Sequence, residues 1–246
     1  MSSAAQSPAF ESSLTSRQEV AERTFAFHFE KPVGWTFKPG QTIDVTLLNP
    51  SETDAEGDTR TFSIASAPHE NTLMVATRMR DTAFKRVLGK MPVGSTVKID
   101  GPFGNLTLHN KASRAAVILT GGIGITPFRS IVLHAAKAKL PHRIILFYAN
   151  RRPEDAAFLE ELQALQQENP KYLLITTVTH LEKSRKPWQG EKGHIGKAML
   201  SRYVGDLDLP LYYIAGPPGM VSGLRAMLND NGVDDDDMRT EEFPGY

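Results

Sequence analysis

The chain has 246 residues, 40% hydrophobic and 23% charged, the balance of a soluble globular protein with room for one large domain or two moderate ones. Its 28 Lys and Arg equal its 28 Asp and Glu, so no global field favours nucleic acid or an anionic membrane as a partner. There is no cysteine, which excludes disulfides, Cys-ligated zinc and a Cys-ligated iron–sulfur cluster from these residues and leaves any redox chemistry to a bound organic group.

The N-terminal MSSAAQSPAFESS is small and polar, without the basic-then-apolar pattern of a secretory signal. No apolar run is long enough to span a membrane, and the cytoplasm is the default compartment. Residues from about 14 to 108 read as β. Short runs at Thr24–Phe29, Thr42–Leu47, Thr72–Thr77 and Thr96–Asp100 are separated by Pro/Gly/Asn turns, the pattern of a small antiparallel barrel. One helix interrupts them at Asp81–Leu88, with Asp81 or Thr82 as N-cap. The segment Ser51–Asp58 (SETDAEGD) is a polar, acidic loop.

After residues 109–114 the pattern changes. Ala115–Thr120 is a continuous apolar run, as in a strand buried on both faces. A helix is expected from about Pro127 to Lys139, a strand over Arg143–Ala149, a helix over Glu154–Gln167 and a strand over Leu173–Thr179. A longer loop precedes a helix over Ile195–Val204, a strand over Leu211–Ala215 and a helix over Met220–Asn229. Alternating strands and helices imply parallel βαβ units. The Asp234–Asp237 run reads as a solvated loop, with a metal site the less favoured reading.

Four segments carry chemistry. In Arg60-Thr61-Phe62-Ser63, an Arg fork suits a phosphate, an aromatic packs on a ring, and a hydroxyl can donate to a ring nitrogen; alone, the segment is equally an ordinary strand. Thr120-Gly121-Gly122-Ile123-Gly124-Ile125-Thr126-Pro127 lies between a buried strand and a helix, where glycines let a phosphate approach free N–H groups. Pro127 suits the first helical turn. Ala215-Gly216-Pro217-Pro218-Gly219-Met220 is a second Gly-rich turn at a strand end, and ligands of open parallel sheets collect at such ends. The terminus, Arg239 to Tyr246, places Phe243 and Tyr246 close together, as a frayed tail or a lid.

In this order the four segments resemble the ferredoxin–NADP reductase superfamily, over about Leu14 to Tyr246. Arg60–Ser63 is similar to its flavin motif Arg-x-Tyr/Phe-Ser, Gly101-Pro102-Phe103-Gly104 to its end-of-barrel turn, and Thr120–Pro127 to its pyrophosphate loop. Ala215–Met220 resembles its Cys-Gly-Pro-Pro-x-Met motif, with Ala215 in place of the cysteine, and Glu241-x-Phe243 resembles its acidic-x-aromatic ending. The resemblance implies an α+β two-domain fold. A flavin-binding, antiparallel Greek-key β-barrel would span 8–110, and a Rossmann-like α/β domain with a parallel sheet, binding the nicotinamide nucleotide, would span 111–246.

It also implies roles. Arg60 would pair with the flavin phosphate, with Thr61 beside it; Phe62 would pack on the isoalloxazine or ribityl chain, and Ser63 would hydrogen-bond near flavin N5. Arg78, Thr82, Ala83 and Phe84 would form the second flavin segment, with the helix start holding the pyrophosphate. Thr120, Gly121, Gly122, Gly124, Thr126 and Pro127, with Gly216, Pro217 and Met220, would hold NADH or NADPH. Glu241 would orient the nicotinamide, Phe243 would cover the flavin, and Tyr246 would anchor the tail or touch the cofactor. FAD is favoured over FMN, and no metal is expected.

The electron acceptor is expected to be a separate molecule such as ferredoxin or flavodoxin. A free-flavin or quinone reductase is one alternative, and a non-catalytic electron-relay or redox-sensing subunit is another. Arg78, Arg80, Lys85, Arg86 and Lys90 form either a solvated basic face or a rim that steers an acidic carrier. Arg151 and Arg152, at a strand end, would read a 2′-phosphate and so favour NADPH; Thr179-His180 at the next strand end favours NADH.

Overall fold

Two different periodicities divide the chain. In the first half side chains alternate, as in β3 (Thr42–Leu47), whose Ile43, Val45 and Leu47 are buried while their neighbours are not. In the second half whole strands are buried, as in β7 (Ala116–Gly121). The computed structural model describes residues 9–243, and Tyr246 lies outside them.

The first half is a six-stranded antiparallel sheet of β1 (Phe10–Ala21), β2 (Thr24–Glu30), β3, β4 (Thr59–Ser63), β5 (Thr72–Arg78) and β6 (Thr96–Phe103). Their order is β4-β3-β6-β1-β2-β5, the out-of-sequence placement of β6 being a Greek-key crossing. The ends are drawn together just past β4, where Ala65 N–H donates to the Met74 carbonyl at 2.8 Å and Met74 N–H donates to Ser66 Oγ at 2.9 Å. Phe27, Phe29, Val45 and Ile99 fill the interior, and α1 (Ala83–Lys90) closes it with Phe84 and Leu88.

The second half is a parallel sheet ordered β10-β9-β8-β7-β11-β12. Its strands are β7, β8 (Ile144–Asn150), β9 (Tyr172–Val178), β10 (Glu191–Lys192), β11 (Leu211–Gly216) and β12 (Met238–Glu242). Helices α2 (Ile125–Lys137) and α3 (Leu159–Glu168) cover one face, and α4 (Lys197–Val204) and α5 (Pro218–Asn229) cover the other. Strand order reverses about β7, which leaves a crevice at the carboxyl ends of β7 and β11, the place where such sheets bind ligands.

Several boundaries differ from the sequence expectation. The first strand begins at Phe10, and α2 begins at Ile125 behind a single 3₁₀ turn at Gly122–Gly124. The helix expected from Glu154 starts only at Leu159, because Pro153–Asp155 form a 3₁₀ turn and Phe158 takes a left-handed conformation (φ 59°) that resets the chain direction. The terminal segment is a strand, β12, parallel to β11. In the Asp234–Asp237 run, Asp235 pairs with Arg225 and Asp237 with Arg114, and no group of metal-ligating side chains forms among the described residues. No helix among them is long and apolar enough to cross a membrane.

The two sheets are clamped together. Ala26, Ala65, Met74 and Ala76 of the barrel pack against Ile123. Beside them Arg129 of α2, 6% exposed at its side chain, donates to the Ala65 carbonyl and forms ion pairs with Glu70 of the barrel and Glu161 of α3. Ser130 Oγ donates to the Ser66 carbonyl at 2.7 Å.

Candidate functional site

A cavity of about 550 Å³ opens between the barrel and the carboxyl edge of the parallel sheet. Its floor is backbone: Gly121 and Gly122 at the end of β7, with Pro217 and Met220 at the start of α5. The glycines are there for clearance. A Cβ on Gly124 would lie 2.5 Å from the Ala215 carbonyl oxygen, and one on Gly121 would lie 2.5 Å from Met220 Sδ. Only glycine lets the turn after β7 and the turn after β11 lie against each other, and Thr120 Oγ1 ties them by donating to the Ala215 carbonyl at 2.8 Å. Free N–H groups before α2 and α5 then face one cleft, which suits a pyrophosphate.

The walls are basic. Arg23, Arg78 and Arg80 from the barrel and Arg151 from the end of β8 line the cavity, against a single lining acid, Asp155. Arg78 stands 3.8 Å from Asp155 across the cleft mouth. Arg151 has no ion-pair partner among the described residues, whereas Arg152 is held by Asp155 at 2.8 Å and Glu22 at 3.1 Å. Of the two expected 2′-phosphate readers, Arg152 is therefore occupied and only Arg151 faces the cleft with its charge available.

Not all of the expected loop touches this space. Gly121 and Gly122 do, while Thr120 is fully buried and Thr126 is buried with its hydroxyl donating to the Ile123 carbonyl. Pro127 is buried as the third residue of α2, and Gly124 and Gly216 serve the close packing of the two turns. Residues that carried no motif also line the cleft: Asn150, Thr179 and His180 at the ends of β8 and β9, and His194 from the loop before α4. The first three were legible only from their position at carboxyl strand ends; His194 carried no signal.

On the barrel, Ser63 is 3% exposed and its Oγ has no hydrogen-bond partner. A buried hydroxyl left unpaired is costly, so it marks a place where a polar ligand atom belongs. Phe62 and Phe84 are turned into the barrel, 6.0 Å apart between ring centroids, so they support the site from beneath. Thr61 is on the outer face, bonded to Asp44. Thr82 caps α1, accepting from Lys85 N–H. Lys85 Nζ donates to the Arg78 carbonyl, and burial pushes its pKa down to about 8.

Arg60 is not free. It donates to the Glu56, Gly57 and Thr59 carbonyls and to the Asp54 and Glu56 carboxylates, and its guanidinium lies 5.1 Å from the Phe84 ring centre. Ala83 N–H, at the start of α1, donates to Asp54 Oδ2 at 3.0 Å. The acidic loop therefore covers the donors that the sequence assigned to a flavin phosphate. Those donors fit a phosphate in kind, since what occupies them is itself an anion, and the unpaired Ser63 hydroxyl fits a flavin ring.

The terminal strand brings the last two expected groups to the side facing the barrel. Glu241 pairs in register with Ala215, and Arg239, Glu241 and Phe243 share a face by strand alternation. Arg239 reaches the Thr107 carbonyl and stacks on Tyr213. Phe243 N–H donates to the Gly216 carbonyl at 2.9 Å, and its ring packs on the domain core. Burial without a cation nearby pushes the Glu241 carboxyl up to about 7.

Residues 118–226 match the oxidoreductase NAD-binding domain family. With the barrel before it, this domain gives the chain the architecture of the ferredoxin–NADP reductase-like, FAD- and NAD-binding oxidoreductases, and the chain is an oxidoreductase of that class. A ferredoxin–NADP+ reductase from Neisseria gonorrhoeae, solved with bound FAD and NADP, superposes with a TM-score of 0.78 at 21% identity, covering 95% of this chain and 98% of that one. Among curated relatives, the glycine betaine monooxygenase reductase subunit of Chromohalobacter salexigens is 27% identical over 90% of this chain and 60% of its own length. Reductase component 1 of a Comamonas terephthalate 1,2-dioxygenase is 25% identical over 72% of this chain and 53% of its own. The chain thus spans little more than half the length of these relatives.

Proposed function

We propose that the chain oxidises NADH or NADPH with a bound FAD and delivers the electrons to a separate acceptor. The observation that carries this reading is the meeting, at one cleft, of a backbone-lined anion site on the parallel sheet and a barrel strand with an unpaired buried hydroxyl, Ser63. A bound flavin would supply the two-electron acceptor and its ability to release electrons singly.

The protein's part is binding and alignment, which is what hydride transfer needs. Gly121, Gly122 and the start of α5 hold the pyrophosphate, with Arg151 at the adenosine ribose. Ser63 Oγ fixes the ring edge where a hydride arrives. Glu241, carrying its proton near neutrality, offers a donor to the nicotinamide carboxamide without placing a full negative charge beside it. Phe243 shields the same face from water. Ala215 stands where relatives of this fold carry cysteine, which alters the fit beside the nicotinamide and leaves the reaction class unchanged.

The acceptor is the finer part of the proposal. Two curated relatives are named as reductase components of oxygenases, which supports an oxygenase component or an iron–sulfur carrier over free flavin or quinone. The basic rim gives this weaker support than its sequence suggested, because Arg86 is paired with Glu52 and Asp81 and Arg78 lies near Asp155. Anaerobic addition of NADH or NADPH to the flavin-loaded protein should bleach the flavin band within the dead time of mixing. A flavin that stays oxidised with both nucleotides overturns the enzymatic reading in favour of a passive subunit.

A further inference from the structure

The loop SETDAEGD between β3 and β4 lies along α1 as an anion on a row of cations. Glu52 holds Arg86 at 2.6 Å. Asp54 accepts from Ala83 N–H at 3.0 Å through one oxygen and meets Arg60 at 3.4 Å through the other. Glu56 holds Arg60 at 2.8 Å. The same loop folds on itself around Asp54: Glu56 N–H donates to Asp54 Oδ1 at 3.0 Å, and Gly57 N–H donates to the Asp54 carbonyl at 3.0 Å. These contacts hold the Asp54 carboxyl below the usual carboxylate range, the Ala83 N–H contributing most.

A carboxylate that bridges a helix start and an arginine fork has the position and charge of a phosphate. Three residues along β4 from Arg60, the buried Ser63 hydroxyl is unpaired, so the ring end of the site awaits a ligand while the phosphate end is already filled. Resting on the flavin reading above, we infer that Asp54 is an internal stand-in for the flavin phosphate and that loop 51–58 competes with phosphorylated flavins for Arg60 and the start of α1. FMN and FAD must lift this loop to bind; riboflavin, which has no phosphate, need not. The loop thereby sets which flavins the chain holds and how readily it releases them.

The test is titration of riboflavin, FMN and FAD into the full chain stripped of flavin, read by quenching of flavin fluorescence, for wild type, Asp54→Ala and Asp54→Asn. The asparagine variant keeps the loop's shape should alanine loosen it. Removing the competing charge should tighten FMN and FAD about tenfold and leave riboflavin within about twofold, the scale of one charge-assisted hydrogen bond. The flavin-free variants should also melt below wild type, because α1 loses the acceptor at its first turn. Tighter binding of phosphorylated flavins by a less stable apoprotein is a pairing that a merely structural Asp54 would not produce. If all three flavins shift together, or if FMN and FAD bind no more tightly, the stand-in role is overturned while the flavin site survives. If wild type binds none of the three, the flavin reading itself fails.

Discussion

Glu241 offers a sharp test of how the terminal strand is placed. Burial raises its carboxyl from 4.5 to about 7. The folded protein therefore keeps a proton that the unfolded chain releases, so stability is highest below the unfolded pKa and falls as pH climbs through the folded one. At about 1.4 kcal/mol per pKa unit the loss between those limits would be about 3 kcal/mol, and partial exposure of the side chain brings it to about 2–3 kcal/mol. Glu241→Gln keeps the shape without the titration. Variant and wild type should unfold at the same urea concentration near pH 4.5. At pH 8 the variant's midpoint should lie higher by about 1 M, taking a urea slope of roughly 2.5 kcal/mol/M for a protein of this size. The comparison is run on flavin-free protein, because a bound ring would change the burial it reads. Curves that stay parallel from pH 4.5 to 8 would refute the claim that Glu241 is desolvated against the barrel.

Four other outcomes follow from the geometry. Arg151→Ala should lower kcat/KM for NADPH about tenfold or more and leave NADH within about twofold; a wild type that prefers NADH by more than about a hundredfold would show that Arg151 does not read the phosphate. Arg129→Met should cost about 2–4 kcal/mol in denaturant unfolding, since it strands the Ala65 carbonyl and removes the cation between Glu70 and Glu161; a loss under about 0.5 kcal/mol would make the clamp a surface pair. Gly124→Ala should weaken nucleotide binding more than Gly122→Ala, because its Cβ meets the Ala215 carbonyl whereas that of Gly122 meets nothing; equal effects, measured by calorimetry, would count against the packed double turn. Phe243→Ala should change both the flavin spectrum and nucleotide affinity, and if neither moves the aromatic is no lid.

The two-domain fold was legible because its two halves follow different rules: β3 alternates, and β7 does not. The glycine turns were legible as a pair, though the work done by each residue was not. Thr120 and Thr126 read as ligand contacts because hydroxyls next to glycines suit phosphates, yet both hydroxyls are spent inside the fold on the Ala215 and Ile123 carbonyls. Period-2 reasoning put Phe62 on the side of Arg60 and could not say which side was inside; α1 decides it by placing Phe84 behind that strand. The terminus read as tail or lid because five residues, Met238–Glu242, carry no β pattern of their own; pairing with β11 makes them a strand. Least legible was the loop 51–58, whose acids suggested only solvation until the fold laid them on Arg60 and Arg86.

The Arg129 clamp also bears on how the molecule comes together. Its guanidinium needs Glu70 and the Ala65 carbonyl from the first half of the chain, and Ser130 needs the Ser66 carbonyl. Made alone, the C-terminal half would carry a half-matched cation beside an apolar patch at Ile123, and the N-terminal half would carry the complementary anion. Two fragments cut in the stretch between β6 and β7 should thus behave as a lock and its key, each marginal by itself and able to find the other in a dilute mixture.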